Sequence, residues 1–412
     1  MKVVMIVVAG GLLAVLVWLC WLTGKPVVIP PIPADEAQRL EALVPDGARE
    51  GNRLTVYTGL AGMFDTMVAD IESARHHVHL EFFKFEDDDA GRRVGDAMAG
   101  VAARGGEARL LYDDLLCCRW RGLYRSMEVR GVQTLGYGPV RWPLPRKADY
   151  YRNHRKLVVV DGRVAYLGGF NIADRYLKGL DWGCWRDTMV RIEGPAVLAL
   201  QRVFAADWRY AGGRLLDGER YFPPVTPAGT TPVRVIASGP IGEGPSIMHF
   251  TTTLLDRAER YAWFESPYFI PPDEVRQAML RAARRGVDVR VLLPPRGDRG
   301  ETTQWASKSY LAEMMAAGVG FGLYRPGYLH SKMVVCDDRV GMVGSCNIDP
   351  RSYLLCQEVA AVVEDAGFAS GLRAVFLADE AQSLRIDPAD WARRPLGQKA
   401  NERLSRLVAS YL

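Results

Sequence analysis

The sequence lacks the features that would indicate a disulfide-linked protein, a zinc protein or a disordered chain. Its 412 residues include seven cysteines, which are scattered and odd in number. They form neither a disulfide framework nor the paired clusters of a zinc site, so we expect a reducing compartment. Hydrophobic residues make up 49% and charged residues 24% of the chain, which excludes a disordered protein. The net charge of +4 is too small to indicate a class of partner.

Histidine is also scarce, with only six in the chain. Three of them, His76, His77 and His79, fall in one predicted strand, where alternation places His77 and His79 on the same face. No carboxylate or cysteine pattern completes a metal-binding set around them. We therefore expect structural or surface histidines here, with no metal and no cofactor.

Two of the other histidines begin a pattern that occurs twice, and both copies read His-x-Lys-x4-Asp-x6-Gly-x2-Asn. Each copy contains two apolar runs separated by a turn, which predicts a β-hairpin with the His and Lys side chains on one face. The first motif contains His154, Lys156, Asp161, Gly168 and Asn171, and the second motif contains His330, Lys332, Asp337, Gly344 and Asn347.

The elements around each motif also repeat, with a period of about 180 residues. Residues 54–112 predict strand, helix, strand, helix and strand in that order, and residues 233–293 predict the same order again. Alternating strands and helices predict parallel pairing in a sheet that helices cover. We therefore expect an α/β fold, divided into a first half at 50–215, a linker rich in Gly and Pro at 216–230, a second half at 231–385 and a C-terminal tail at 386–412.

Both ends of the chain carry apolar signals. Residues 3–22 contain no charged side chain and can span the hydrocarbon core of a bilayer, which is about 30 Å thick. The run exceeds the apolar core of a cleaved signal peptide, and no small-residue cleavage site follows it. We therefore expect a transmembrane anchor at 3–22 and a linker at 23–49.

In the tail, Leu404 and Leu407 recur at helical spacing, which predicts a helix that packs on the core, although such a helix can also lie on a membrane.

The segment from Arg119 to Lys156 carries ten Arg or Lys residues against two acidic residues, with aromatic side chains between them. Its position directly before His154 favours attraction of phosphate. The same composition suits a nucleic acid or an anionic membrane surface, and composition alone leaves these alternatives open.

The residue types in the two motifs suit transfer of a phosphodiester without a metal. A neutral histidine can attack phosphorus, and a second histidine can act first as an acid and then as a base. Lys156, Lys332, Asn171 and Asn347 can hold the phosphate oxygens. One motif provides only half of this set, so the two halves must pack with their motifs together at one site.

Each histidine also needs a carboxylate that fixes its tautomer. The candidates are Asp187, which lies 33 residues after His154, and Glu358, which lies 28 residues after His330. We place each of them on the strand that follows its motif. Asp161 and Asp337 end the first strand of each hairpin, and we expect them to brace the site rather than to contact phosphate.

The doubled motif resembles the signature of the phospholipase D superfamily, over roughly residues 50–385. Within that superfamily, the chain is similar to bacterial cardiolipin synthases at Asn153–Lys156, Arg186–Asp187, Val190–Pro195, Glu265–Pro271 and Asn347–Ser352. The resemblance implies two pseudo-symmetric α/β/α sandwich halves with mixed β-sheets. It also implies that a phosphatidyl group is transferred to phosphatidylglycerol through a phosphohistidine.

The resemblance further implies His154 as the nucleophile and His330 as the acid and base. Ser345 would bind substrate, whereas Gly169 stands where the motif commonly has Ser. The implied partners are a membrane and phospholipid substrates, namely phosphatidylglycerol with phosphatidylethanolamine as an alternative, and no nucleic acid. The implied location is the bacterial inner membrane, with the catalytic part on the cytoplasmic side.

Three alternatives remain at this point. A phospholipase D would pass the same phospho-enzyme to water and release phosphatidic acid. A nuclease of the same superfamily would cleave DNA, although the predicted anchor and the aromatic-rich loop weigh against it. A lipid-binding protein with an inactive site would catalyse neither reaction.

Overall fold

The structure, a computed structural model, describes residues 32–44, 50–139, 151–224, 226–240, 244–297, 301–407 and 409. The predicted anchor at residues 3–22 lies outside these ranges. Among the described helices, none combines the length and the hydrophobicity that a bilayer-spanning segment needs. The repeat falls almost entirely within the described ranges and can be followed strand by strand.

The first half alternates strands and helices as the sequence predicts. Its elements are α1 (Ala34–Ala42), β1 (Arg53–Tyr57), α2 (Leu60–Ser73), β2 (His77–Phe82), α3 (Asp89–Ala103), β3 (Glu107–Asp113), α4 (Asp114–Cys117), a 3-10 turn (Cys118–Trp120), α5 (Arg121–Val129), β4 (Gln133–Tyr137), β5 (Arg152–Asn153), β6 (Lys156–Val160), β7 (Val164–Gly168), α6 (Asp174–Lys178), β8 (Cys184–Arg186), β9 (Met189–Glu193) and α7 (Ala196–Tyr210).

The second half repeats this order and adds elements at its carboxyl end. Its elements are β10 (Arg234–Ser238), α8 (Ser246–Arg257), β11 (Tyr261–Glu265), α9 (Asp273–Arg284), β12 (Asp288–Leu293), α10 (Glu301–Ala316), β13 (Gly320–Tyr324), β14 (Gly327–Leu329), β15 (Met333–Cys336), β16 (Val340–Gly344), α11 (Pro350–Leu354), β17 (Cys356–Val363), α12 (Ala366–Ala381), β18 (Ser383–Arg385), α13 (Pro388–Ala392) and α14 (Leu396–Leu407).

The two halves form sheets with the same strand order, which confirms the internal repeat. The first sheet runs β1-β9-β7-β6-β2-β3-β4, and the second runs β10-β17-β16-β15-β11-β12-β13-β18. In each sheet three strands, β2-β3-β4 or β11-β12-β13, pair in parallel, whereas the motif hairpin, β6–β7 or β15–β16, is antiparallel. The parallel pairing predicted for β1 and β10 is wrong, because these strands lie at the sheet edges and pair antiparallel with β9 and β17. Both sheets are therefore mixed, as the resemblance implies.

The hydrophobic core forms layers because successive strand residues point to opposite faces of a sheet. In β6, Leu157 and Val159 face a central core, whereas Val158 and Val160 face an outer core beneath α2 and α3. The central core also takes residues from the second sheet and from α7 and α12. One shared core thus joins the two halves, while α8 and α9 cover the outer face of the second sheet.

The short strand that leads into each motif pairs with the opposite half. Strand β5 of the first half pairs in parallel with β17, and β14 of the second half pairs in parallel with β8. This exchange brings each motif to the end of a strand that belongs to the other half.

Two terminal segments differ from expectation. Part of the predicted linker at 23–49 is helix α1, where Leu40 packs into the central core and Glu36 forms an ion pair with Arg209 at 2.7 Å. The acidic first turn after Pro33 favours this helix. The helix is too short for its apolar residues to show a clear helical period in the sequence.

The predicted C-terminal helix is present as α14, but the packing predicted for its leucines is wrong. Leu404 is 55% exposed and Leu407 is 76% exposed. The buried face instead carries Glu402, which pairs with Arg394 at 2.6 Å. Arg406 also pairs with Glu313 of α10 at 3.1 Å, and the helix packs along α10.

Candidate active site

The aspartate of each motif secures its hairpin. Asp161 and Asp337 lie in the turns at φ of 51° and 56°, a left-handed region that Asp tolerates better than most residues. Each carboxylate accepts bonds of 2.8 Å from three backbone N–H groups: those of Arg75, His76 and His77 for Asp161, and those of Glu259, Arg260 and Tyr261 for Asp337. Burial raises the pKa of both carboxyls, but these N–H groups outweigh it and lower both pKa values. These contacts provide the bracing that we expected.

His154 lies between β5 and β6 and is held by the second half. Its backbone N–H donates to the Gln357 carbonyl of β17 at 2.9 Å. Its Nδ1 lies 2.8 Å from Oε1 of Glu358, the next residue along that strand. A carboxyl oxygen that accepts the Nδ1 proton leaves Nε2 with its lone pair.

His330 mirrors this arrangement with its partner in the first half. Its backbone N–H donates to the Arg186 carbonyl at 2.7 Å, and its Nδ1 lies 2.6 Å from Oδ2 of Asp187. The carboxylates thus pair across the halves, whereas the spacing in sequence associates each one with the histidine of its own half. Asp187 also lies between β8 and β9, so its predicted place on a strand is wrong.

The pKa values of the two carboxyl groups are shifted in opposite directions, although both groups are fully buried. Burial raises the pKa of Asp187, but His330 and Lys332 outweigh it and the pKa is lowered. Burial raises the pKa of Glu358 to about 7, which Lys156 and the Ser345 hydroxyl only partly offset. Burial therefore favours the protonated form of Glu358, whereas the charges around Asp187 favour its ionised form.

Gly169 and Ser345, at equivalent positions, fit these different carboxylates. A Cβ at position 169 would lie 2.1 Å from Oδ1 of Asp187, so only glycine leaves room for that carboxylate. The longer Glu358 leaves room for Ser345, whose hydroxyl donates to Oε2 of Glu358. Ser345 is fully buried, and its partner is this carboxyl group rather than the predicted substrate.

The two motif lysines are buried behind the histidines. The Nζ of Lys156 donates to the backbone carbonyl of His154, and the Nζ of Lys332 donates to that of His330. Burial lowers the pKa of Lys156 to about 7, although Glu358 acts in the opposite direction. Both lysines therefore place their nitrogen directly against the backbone of a candidate catalytic histidine.

Both histidines line one cavity of about 350 Å³. Asn171 and Asn347 also line it, and their binding of phosphate oxygens stays a prediction. Among the described residues, the lining does not include Lys156, Lys332, Ser345, Asp161 or Asp337. Lining residues to which the sequence analysis gave no role include Phe83, Lys84, Tyr176, Tyr268, Thr303, Asp349 and Arg351.

Two buried arginines that our sequence reasoning missed fix the backbone of the carboxylates. Arg155, the variable residue of the first motif, donates from Nε to the Glu358 carbonyl at 3.0 Å and pairs with Asp207 of α7. Arg186 donates from Nη1 to the Asp187 carbonyl and pairs with Asp379 of α12 at 2.6 Å. Their positions beside motif residues were the only sequence signal for this role.

The basic segment is only partly available for phosphate. Arg152 lines the cavity, but its guanidinium is paired with the buried Asp113 at 2.7 Å, and Arg130 pairs with Asp96. Residues 140–150 of the segment lie outside the described residues.

His77 and His79 are structural histidines, as expected. Both are buried in β2, and burial lowers both pKa values.

Comparisons with known proteins identify the family of the chain. The family model described as "Cardiolipin synthase, PLD-like domain" matches residues 67–208 and 251–379, one stretch in each half. A cardiolipin synthase of Staphylococcus aureus is 36% identical over 366 residues, which are 88% of this chain and 74% of that protein. A cardiolipin synthase of Listeria innocua is 35% identical over 376 residues, which are 90% of this chain and 78% of that protein.

Solved structures share the fold at low sequence identity. The phosphatidylserine synthase of Haemophilus influenzae superposes with a TM-score of 0.66 at 12% identity, and the match covers 92% of this chain and all (100%) of that one. The polyphosphate kinase of Porphyromonas gingivalis superposes with a TM-score of 0.55 at 14% identity, over 92% of this chain and 56% of that one.

Proposed function

Since the chain belongs to the cardiolipin synthase family of phospholipase D-like proteins, we propose that it joins two molecules of phosphatidylglycerol into cardiolipin and glycerol. The observation that carries this proposal is the pair of His–carboxylate contacts that cross between the halves and face one cavity. Two imidazoles held in this way can perform both proton transfer and nucleophilic attack without any other group.

In the first step, Nε2 of His154 attacks the phosphorus of the donor lipid. A nitrogen–phosphorus bond forms, the bond from phosphorus to the glycerol oxygen breaks, and His330 gives its proton to the departing alkoxide. In the second step, the terminal hydroxyl of the acceptor gives its proton to His330 and its oxygen attacks the phosphohistidine. The phosphorus–nitrogen bond then breaks, which releases cardiolipin and restores both histidines.

The unequal carboxyl groups support this division of roles. The ionised Asp187 stabilises the positive charge of a protonated His330, as a general acid requires. The raised pKa of Glu358 weakens such stabilisation at His154, which favours the neutral imidazole that a nucleophile needs. The Nζ groups of Lys156 and Lys332 lie against the backbone carbonyls of the two histidines, and Asn171 and Asn347 supply amide groups at the cavity wall.

Labelled lipid tests this proposal directly. With phosphatidylglycerol labelled at phosphorus, we expect cardiolipin and glycerol in equal amounts, together with an acid-labile label on the protein. His154→Ala should abolish both the turnover and the label, whereas His330→Ala should abolish turnover. His76→Ala is the matched control, because His76 is exposed, lies directly before β2 and does not line the cavity.

Other outcomes would support the alternatives. Phosphatidic acid without cardiolipin would identify a hydrolase, and label that persists in His154→Ala but not in His330→Ala would reverse the roles of the histidines.

We also propose that residues 3–22 anchor the chain in the inner membrane with its catalytic halves in the cytoplasm. Deletion of residues 1–22 should then move the protein to the soluble fraction, and retention in the membrane would contradict this anchor.

A further inference from the structure

Two arginines occupy equivalent places in the repeat. The isolated bridges Phe85–Ile172 and Phe269–Ile348 are the same parallel contact in the two halves. Arg175 and Arg351 each lie three residues after the isoleucine of their bridge, on the short helices α6 and α11. Any difference between them therefore reflects a difference between the two sides of the site.

The two guanidinium groups have different surroundings. Arg175 is neutralised by Glu86, whose two oxygens it contacts at 2.6 and 3.1 Å. Glu86 follows Phe85 directly, and the residue that follows Phe269 is the buried, apolar Ile270. The second half therefore lacks the carboxylate that would neutralise Arg351.

Arg351 lines the cavity that contains His154 and His330. Within the described residues its guanidinium makes no ion pair and donates no hydrogen bond. The positive charge of Arg351 acts to lower the pKa of the nearby Asp349. Oδ1 of this carboxylate, however, accepts a hydrogen bond of 2.7 Å from the backbone N–H of Ser352 rather than from Arg351. The half-exposed Arg351 therefore presents a cation to the cavity, on the side of the second half.

The proposed reaction requires two anions in the same cavity. The donor phosphodiester reacts at the histidines, while the acceptor phosphatidylglycerol carries a phosphodiester of its own, three carbons from its attacking hydroxyl. A guanidinium suits a phosphodiester because its N–H groups can bond two oxygens at once. A water or free glycerol acceptor carries no such group.

We propose that Arg351 binds the phosphodiester of the acceptor lipid and so directs the phosphohistidine towards phosphatidylglycerol rather than towards water or free glycerol. This inference rests on the proposed function. It makes Arg351 a residue that determines acceptor specificity, whereas Arg175, tied to Glu86, has no such role.

A competition between acceptors tests this role. The full-length enzyme receives phosphatidylglycerol in mixed micelles together with labelled free glycerol, and cardiolipin and labelled phosphatidylglycerol are both quantified. Loss of a charge-assisted bond to phosphate should lower the ratio of cardiolipin to labelled phosphatidylglycerol by about tenfold or more in Arg351→Gln. Arg351→Lys, which keeps the charge but not the two-oxygen contact, should lie between.

Arg175→Gln is the matched control and should keep the wild-type ratio. An unchanged ratio in Arg351→Gln would overturn the inference, and so would an equal loss of both products, which would indicate binding of the donor or a structural role. Because the ratio is taken within one sample, partial misfolding of a variant does not alter it. Failure of the wild-type enzyme to make any cardiolipin would instead contradict the proposed function itself.

Discussion

At the scale of single residues, Gly169 shows how closely the two motifs fit their carboxylates. Replacement by serine would place a Cβ within 2.1 Å of Oδ1 of the fully buried Asp187, so the carboxylate would have to shift. The displaced carboxylate would no longer orient His330. The difference between the motifs at this position is therefore explained by the shorter side chain of Asp187.

We predict that Gly169→Ser lowers the turnover number by roughly 100-fold, the contribution of a positioned acid or base. Ser345→Ala is the control at the equivalent position, because it removes the hydroxyl's bonds to Glu358 and to the Val359 N–H without adding atoms, and its loss should be much smaller. Steady-state kinetics of both variants provide the measurement. Wild-type turnover in Gly169→Ser would show that the contact with Asp187 does not hold His330.

The sequence identified the residue types of the site more completely than it identified their partners. His154, His330, Asp187 and Glu358 could all be chosen from spacing and chemistry. Which carboxylate serves which histidine could not be chosen, because distance along the chain does not show that β5 and β14 pair with the opposite half. Strands of two or three residues are too short to leave a periodic pattern.

At the scale of the elements, the longer helices and strands were predictable because the apolar residues of each recur with a helical or strand period over many positions. The hairpins were marked both by apolar runs and by their aspartate turns. The short helix α1 carries no such signal, and the buried face of α14 carries Glu402, paired with Arg394, rather than its leucines, while Arg406 pairs with Glu313. Partners from distant parts of the chain therefore decided both outcomes.

The turn aspartates make hairpin stability depend on pH. Asp161 has a lowered pKa in the folded protein, so its contribution is fully present above the pKa of the unfolded chain, about 4, and is lost as the pH falls through the lower folded value. Asp161→Asn keeps an acceptor for two N–H groups but loses the charge and the bond to Arg75. We predict a loss of about 1–3 kcal/mol in the free energy of unfolding at pH 7.

Thermal unfolding of Asp161→Asn and of wild type between pH 3 and pH 7 checks this prediction. The two melting temperatures should converge as the pH falls, since the wild-type aspartate is then protonated as well. Asp65→Asn is a suitable control, because Asp65 pairs with Arg93 at the surface, where an ion pair contributes little. A difference that stays constant over this range would contradict the electrostatic explanation.

At the scale of the whole molecule, the site exists only because the halves are joined. Each histidine takes its carboxylate from the opposite half, and each carboxylate is held by an arginine of the first half. Arg186 connects Asp187 in the first half to Asp379 on α12 in the second. Thr188 adds a hydrogen bond of 2.8 Å to Ser331, the variable residue of the second motif. A substitution at this junction should therefore alter the structure of both halves.

We predict that Arg186→Met increases amide hydrogen exchange in β8 and also in β14 and α12 of the other half, because it breaks contacts to Asp187 and Asp379 together. Turnover should fall in parallel, since Asp187 orients His330. Arg191→Met is the matched control, because Arg191 pairs with Asp70 and Glu193 inside the first half, and its effects should stay there. Exchange changes confined to the first half in Arg186→Met would show that the halves are coupled only through their apolar core.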